Sequence, residues 1–146
     1  MYTIEIRHNV ELAHRFYCAT ASPKCRNIHG HSWWITLTLE AMALDQQGMV
    51  VEFGQIKRVW RDWLDAHIDH GVVLHREDPM IGAIQSVESN LRIFSLPQDP
   101  TTEHLAEFLW SQAQFLLADL GVGNRVHVKQ VHVQETHVNA ATFRPD

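Results

Sequence analysis

Residues 25–31 read CRNIHGH, a thiol followed by two histidines one residue apart. Side chains at i and i+2 of an extended chain point to the same side, so His29 and His31 can reach one metal ion. His14 lies on an earlier extended stretch and can supply a third imidazole. Three neutral imidazoles suit Zn²⁺ best among available divalent metals, and three protein ligands leave one position open for chemistry. Such an ion can acidify a hydroxyl or polarise a carbonyl. Cys25, four residues before His29, would be acidified by that charge and could act as thiolate base or nucleophile. Asp69 and His70 are adjacent, and a carboxylate beside an imidazole can orient the ring and hold its charged form. Glu135 falls on an apolar parity, where a carboxylate needs a donor. A ligand edge with two parallel N–H groups would match it, and so would an internal Arg125 or Arg144.

The elements that must carry these groups follow from periodicity. Tyr2, Ile4, Ile6, Val10 and Leu12 alternate with polar residues, predicting a half-buried strand, and His14 keeps its inward parity. Residues 19–28 read as a loop. Trp33, Ile35, Leu37 and Leu39 predict a second strand whose apolar parity His29 and His31 share. With the two strands antiparallel, the three histidines meet at one sheet end. DQQG (45–48) predicts a hairpin loop leading to a third short strand around MVVEF. Phe53, Ile56, Val59, Trp60, Trp63, Leu64 and Ile68 repeat with helical spacing, and Gly71 offers a C-terminal stop. A short helix near 78–85 interrupts a mixed segment. A further helix opens at Pro100–Thr101, with an apolar stripe from Leu105 to Leu120. The final strand, RVHVKQVHVQET, changes parity between Val128 and Val131, which predicts a bulge. Paired strands with segregated helices predict an α+β fold with an antiparallel sheet.

Composition sets the outer limits. A chain of 146 residues fits one domain, residues 1–146, with a real core. The formal charge of −5 argues against nucleic acid or anionic membrane as a partner. No apolar run approaches the roughly 20 residues of a membrane span, and MYTIEIRHNV lacks the pattern of a signal peptide. These features predict a cytoplasmic protein in which Cys18 and Cys25 are free thiols, Cys18 serving only packing. The 11 histidines are otherwise scattered, which argues against a histidine-rich metal buffer.

LAHRF, CRNIHGHSW, GMVVEFGQIK, IDHGVVL, PTTEHLAEFLW and VQETHVNAATF occur in this order along nearly the whole chain. Together they resemble the 6-pyruvoyl-tetrahydropterin synthase family, and most closely its 6-carboxy-tetrahydropterin synthase branch, which shares the short C-x-x-x-H-G-H spacing. The resemblance implies a tunnelling fold (T-fold): a four-stranded antiparallel sheet with two helices on one face. It also implies homo-oligomeric assembly through the sheets, usually a hexamer of two trimers with pockets at subunit boundaries.

Carried over by motif, the resemblance assigns His14, His29 and His31 as zinc ligands and Cys25 as the catalytic thiol. Asp69 and His70 become the proton-transfer pair, and Glu135 the anchor of the pterin ring. Thr101, Thr102 and Glu103 match the motif opening the second helix near that pocket, and the resemblance assigns them, with Glu135, to substrate binding. The implied substrate is 7,8-dihydroneopterin triphosphate. The implied products are 6-carboxy-5,6,7,8-tetrahydropterin, acetaldehyde and triphosphate, on the route to deazapurines such as queuosine. Pyruvoyl-forming chemistry and a non-catalytic pterin-binding paralogue are the alternatives. Arg15, Lys24 and Arg26 are triphosphate candidates by proximity alone. The pattern departs at Glu52, His75 and His104, and segment 76–99 is longer than in compact members.

Overall fold

The computed structural model describes residues 1–18 and 22–146; part of the loop expected over 19–28 lies outside them. Two 13-residue strands form its centre, β1 (Tyr2–His14) and β2 (His29–Ala41), antiparallel from Tyr2↔Ala41 to His14↔His29. The alternation read from the sequence is the alternation of burial: Ile6, Val10 and Leu12 on β1 and Trp33, Ile35, Leu37 and Leu39 on β2 are all in the core. On the same face lie α1 (Phe53–His67) and α3 (Thr102–Asp119). They contribute Ile56, Trp60 and Leu64, and Leu105, Leu109, Ala113 and Leu117, to one continuous cluster.

The sheet is larger than expected. It has six strands in the order β4-β3-β1-β2-β5-β6, and α2 (Met80–Val87) makes a third helix, corresponding to the short one expected near 78–85. The sheet is also mixed rather than antiparallel. β3 (Gly71–His75) runs parallel to β1, and β4 (Ile93–Leu96) runs parallel to β3. Gly71, Val73, Leu74 and His75 are all buried, so β3 shows no alternation to betray it. β4 and β6 (Ala140–Phe143) are four-residue edge strands, too short to show a period. β5 (Val126–Gln134) carries the expected bulge: Val128 pairs with Leu39 and Gln130 with Thr38, leaving Lys129 extra.

The third strand expected at Met49–Phe53 does not form. Consecutive Val50 and Val51 are both buried, whereas a half-buried strand would alternate. Glu52 then caps α1, its carboxylate accepting from the Gly54 and Gln55 N–H groups at 2.7 and 2.6 Å. Asp45 closes the preceding turn by accepting from the Gln47 and Met49 N–H groups, so DQQG is a turn but not a hairpin. No helix among the described residues is long and apolar enough to cross a membrane.

Candidate active site

The register places His14 directly opposite His29, with His31 opposite Leu12, on the core-facing side at the sheet end. The ring centroids are 4.6 Å (His14–His29), 5.3 Å (His14–His31) and 5.1 Å (His29–His31) apart. One ligand atom from each falls within 4.8 Å of the others, the one such cluster among the described residues. An apolar collar fixes the rings. Trp33 meets His14 and His31 edge-on and is itself tied by its indole N–H to the Leu12 carbonyl at 2.9 Å, while Phe16 meets His14.

Hydrogen bonds on the far side of two rings decide which nitrogens face inward. His14 Nδ1 lies 2.8 Å from the Pro100 carbonyl and His29 Nδ1 lies 2.7 Å from the Asn27 carbonyl. A carbonyl only accepts, so each Nδ1 carries the proton and each Nε2 presents a lone pair. His14 Nε2 and His31 Nε2 are buried without a hydrogen-bond partner. Burial, with the neighbouring imidazoles adding, lowers the pKa of His14, and burial lowers that of His31, favouring the neutral ligand form. Glu135 Oε1 stands 3.5 Å from His14 Nε2 and 3.7 Å from His31 Nε2. A carboxylate facing an imidazole lone pair is repulsive unless a cation lies between them. The donor set therefore fits Zn²⁺, with His14, His29 and His31 as its holders.

Glu135 and His31 also line a cleft of about 400 Å³ with Arg7, Ser32, Trp34, Gln134, Thr136 and His137. Arg7 sits 4.6 Å over the Trp34 ring and donates to Gln134 Oε1 at 3.1 Å. It is the one Arg or Lys among the lining residues. Sequence reasoning missed Arg7, Trp34 and Gln134 because they occupy the polar parity, where solvated side chains are the ordinary expectation. The available signal was the register itself, which puts Trp34 opposite Gln134 and two residues from Arg7's partner Thr36.

Asp69 and His70 border the site from the other side of β1. His70 Nδ1 is 2.7 Å from Asp69 Oδ2, and Asp69 Oδ1 accepts from the Glu11 N–H at 2.7 Å. Desolvation alone would raise the Asp69 pKa; the Glu11 amide and His70 outweigh it and hold the carboxyl below its ordinary value. His70 has φ +58°, a left-handed conformation uncommon for a residue with a side chain. Thus the position expected of Gly71 at the end of α1 is taken by His70. Gly71 is needed for a different reason: an added Cβ would meet the Ile68 carbonyl oxygen at 2.9 Å. His70 lines a shallow groove with Glu11, Gly30, His31 and Ser32, so it approaches the histidine cluster without joining it.

Cys25 lies on a short 3-10 turn, Pro23–Arg26, half-buried and free, its carbonyl accepting from the Phe16 N–H at 2.7 Å. Cys18 is also free but exposed, so it does not have the packing role expected of it. Thr101 caps α3, accepting from the His104 N–H at 3.2 Å, and Thr102 and Glu103 form its first turn. None of the three lines the cleft. They stand next to Pro100, whose carbonyl orients His14. Arg15, a triphosphate candidate by proximity, is committed to Asp78 at 2.7 and 2.8 Å.

Solved structures share this architecture. An uncharacterized protein of Wolinella succinogenes superposes with TM-score 0.81 at 20% identity, covering 99% of this chain and 98% of its own. The 6-pyruvoyl tetrahydropterin synthase of Caenorhabditis elegans gives 0.70 at 20% identity, covering 99% and 96%. Two relatives are named 6-carboxy-5,6,7,8-tetrahydropterin synthase. That of Rickettsia felis is 32% identical over 115 residues, 77% of this chain and 80% of that protein. That of Rickettsia typhi is 36% identical over 83 residues, 57% of this chain and 60% of that protein. The model of the family described as 6-pyruvoyl tetrahydropterin synthase matches residues 3–146, and the chain belongs to that family.

Proposed function

We propose that this chain, folded as one domain, is a zinc-dependent lyase of the carboxy-forming branch. It converts 7,8-dihydroneopterin triphosphate and water to 6-carboxy-5,6,7,8-tetrahydropterin, acetaldehyde and triphosphate, supplying deazapurine synthesis such as that of queuosine. The observation that carries this reading is the convergence of three imidazoles, two with orphaned Nε2 atoms, beside the Glu135 carboxylate in a cleft. The names of the Rickettsia relatives add support.

His14, His29 and His31 hold the metal, which when bound supplies a Lewis acid that lowers the pKa of a hydroxyl. Glu135 accepts the two parallel N–H groups of the pterin edge, and Trp34 walls the same cleft. Arg7 gives the triphosphate a fixed cation. Cys25, as thiolate, takes a proton from the substrate side chain. His70, its Nδ1 proton held by Asp69, exchanges protons through Nε2. Thr101, Thr102 and Glu103 act from behind, keeping Pro100 in place against His14. The proposed assembly is a hexamer of two trimers in the cytoplasm, and the exposed His70 suits a boundary where one copy completes its neighbour's pocket.

Mass spectrometry of the products from zinc-loaded protein and 7,8-dihydroneopterin triphosphate tests the reading. Carboxypterin with acetaldehyde, lost in Cys25→Ala, is the expected result. A pyruvoyl product would move the chain to the sister activity. Absence of turnover with zinc bound would leave a pterin-binding paralogue.

A further inference from the structure

The turn that carries Cys25 has little of its own to hold it. None of Pro23–Arg26 is buried, and Ser22 at its start makes no side-chain capping bond. Its described ties run to one short segment after β1. Phe16 N–H donates to the Cys25 carbonyl at 2.7 Å, Arg15 Nη1 reaches the Arg26 carbonyl at 3.4 Å, and Arg26 Nη1 reaches the Tyr17 carbonyl at 3.5 Å. Whatever fixes residues 15–18 therefore fixes Cys25.

Two carboxylates from the long 76–99 segment do that. Asp78, fully buried in its side chain, takes a side-on fork from Arg15: Nε to Oδ2 at 2.7 Å and Nη2 to Oδ1 at 2.8 Å. Asp78 Oδ1 also accepts from the Met80 N–H at 2.9 Å, which ties the fork to the start of α2. At the other end of the segment, Asp99 Oδ1 accepts from the Tyr17 N–H at 2.7 Å and the Cys18 N–H at 3.1 Å. A flexible guanidinium would not hold a carbonyl at 3.4 Å by itself. One whose other two nitrogens are locked by a buried carboxylate presents its third at a fixed place.

We infer that Arg15 and Asp78 are positioning residues for the Cys25 turn, and that the long 76–99 segment serves as its brace. The inference rests on the catalytic role proposed for Cys25, but the brace itself can be read without turnover. In a Cys18→Ser background Cys25 is the sole thiol, and its rate of alkylation by iodoacetamide reports how firmly the turn is held. Arg15→Lys keeps a cation beside Asp78 but loses the fork and the third nitrogen. It should leave zinc content and melting temperature near those of the parent while Cys25 alkylation accelerates severalfold. With substrate, kcat should fall about 10- to 100-fold with KM nearly unchanged, as expected when a catalytic group is misplaced. Asp78→Asn is the second variant should Arg15→Lys fail to fold; it should keep its zinc and show the same faster alkylation and lower kcat, with a melting temperature lowered by loss of the buried ion pair. Unchanged alkylation and kcat in a folded variant would overturn the inference. Altered alkylation in a protein whose parent shows no turnover would uphold the brace and overturn the lyase reading instead.

Discussion

At the residue scale the roles can be separated by which property each substitution moves. Cys25→Ala should lower kcat by about 10²–10⁴-fold, the usual worth of a positioned proton-transfer group, with zinc retained by elemental analysis. Glu135→Gln keeps the shape of the side chain but removes the charge 3.5 Å from His14 Nε2. It should raise KM and lower kcat while zinc stays stoichiometric, because three imidazoles suffice as ligands. Loss of zinc in that variant would make Glu135 a partner of the ion rather than of the pterin. The histidine trio was legible in the sequence because parity is a property of one strand at a time. Arg7 and Trp34 were not, because nothing along either strand marks which polar-parity residues will border a cleft.

At the element scale, the junction between α1 and β3 carries the sharpest constraint. His70 is held at φ +58° by its N–H bond to the Glu11 carbonyl at 2.7 Å, and Arg92 bonds the Asp69 carbonyl across the same turn. Gly71→Ala would place a methyl 2.9 Å from the Ile68 carbonyl oxygen and 3.1 Å from Arg92 Cγ. The expected result is destabilisation by about 1–3 kcal/mol in urea titration, with activity falling further than stability because His70 is displaced. Sequence periodicity located α1 almost to its last residue, yet it put the left-handed position on the glycine. Helical spacing defines the body of a helix. Which residue turns left-handed depends on what the chain must meet next, here the backbone of Glu11.

At the scale of the whole molecule, carboxylates held by hydrogen bonds and ion pairs, buried at Asp78 and half-buried at Asp69, tie stability to pH. Burial alone would raise the Asp78 pKa. The Arg15 fork, the Met80 N–H and nearby His75 overcome that and hold it below its ordinary value near 3.8. Asp69 is likewise depressed. A carboxyl depressed in the folded state contributes stability above its ordinary pKa and loses it as pH falls through the lower folded value. The urea midpoint should therefore begin to fall as pH drops below the ordinary histidine value near 6.5, where buried His14 and His31 must charge, and fall further below about pH 4, the range of free carboxyls. The fall should be shallower in Asp78→Asn than in the parent. A midpoint that declined equally in both would remove Asp78 from the acid transition. The proposed hexamer predicts a light-scattering mass of six times 16.8 kDa, against one times for a free protomer.

The sequence by itself determined the two long central strands, the two amphipathic helices, the bulge in β5 and the shared inward parity of His14, His29 and His31. Each is written in local alternation or helical spacing, which burial against one face imposes residue by residue. Only the tertiary structure decided the parallel pairing of β3 and β4, whose burial on both faces erases alternation. It alone brought Glu135 to His14 across 121 residues of chain, since 135 less 14 is 121, and Asp78 to Arg15. Contacts of that kind depend on how sheet, helices and the 76–99 segment close around one another, and no short window of sequence carries that information.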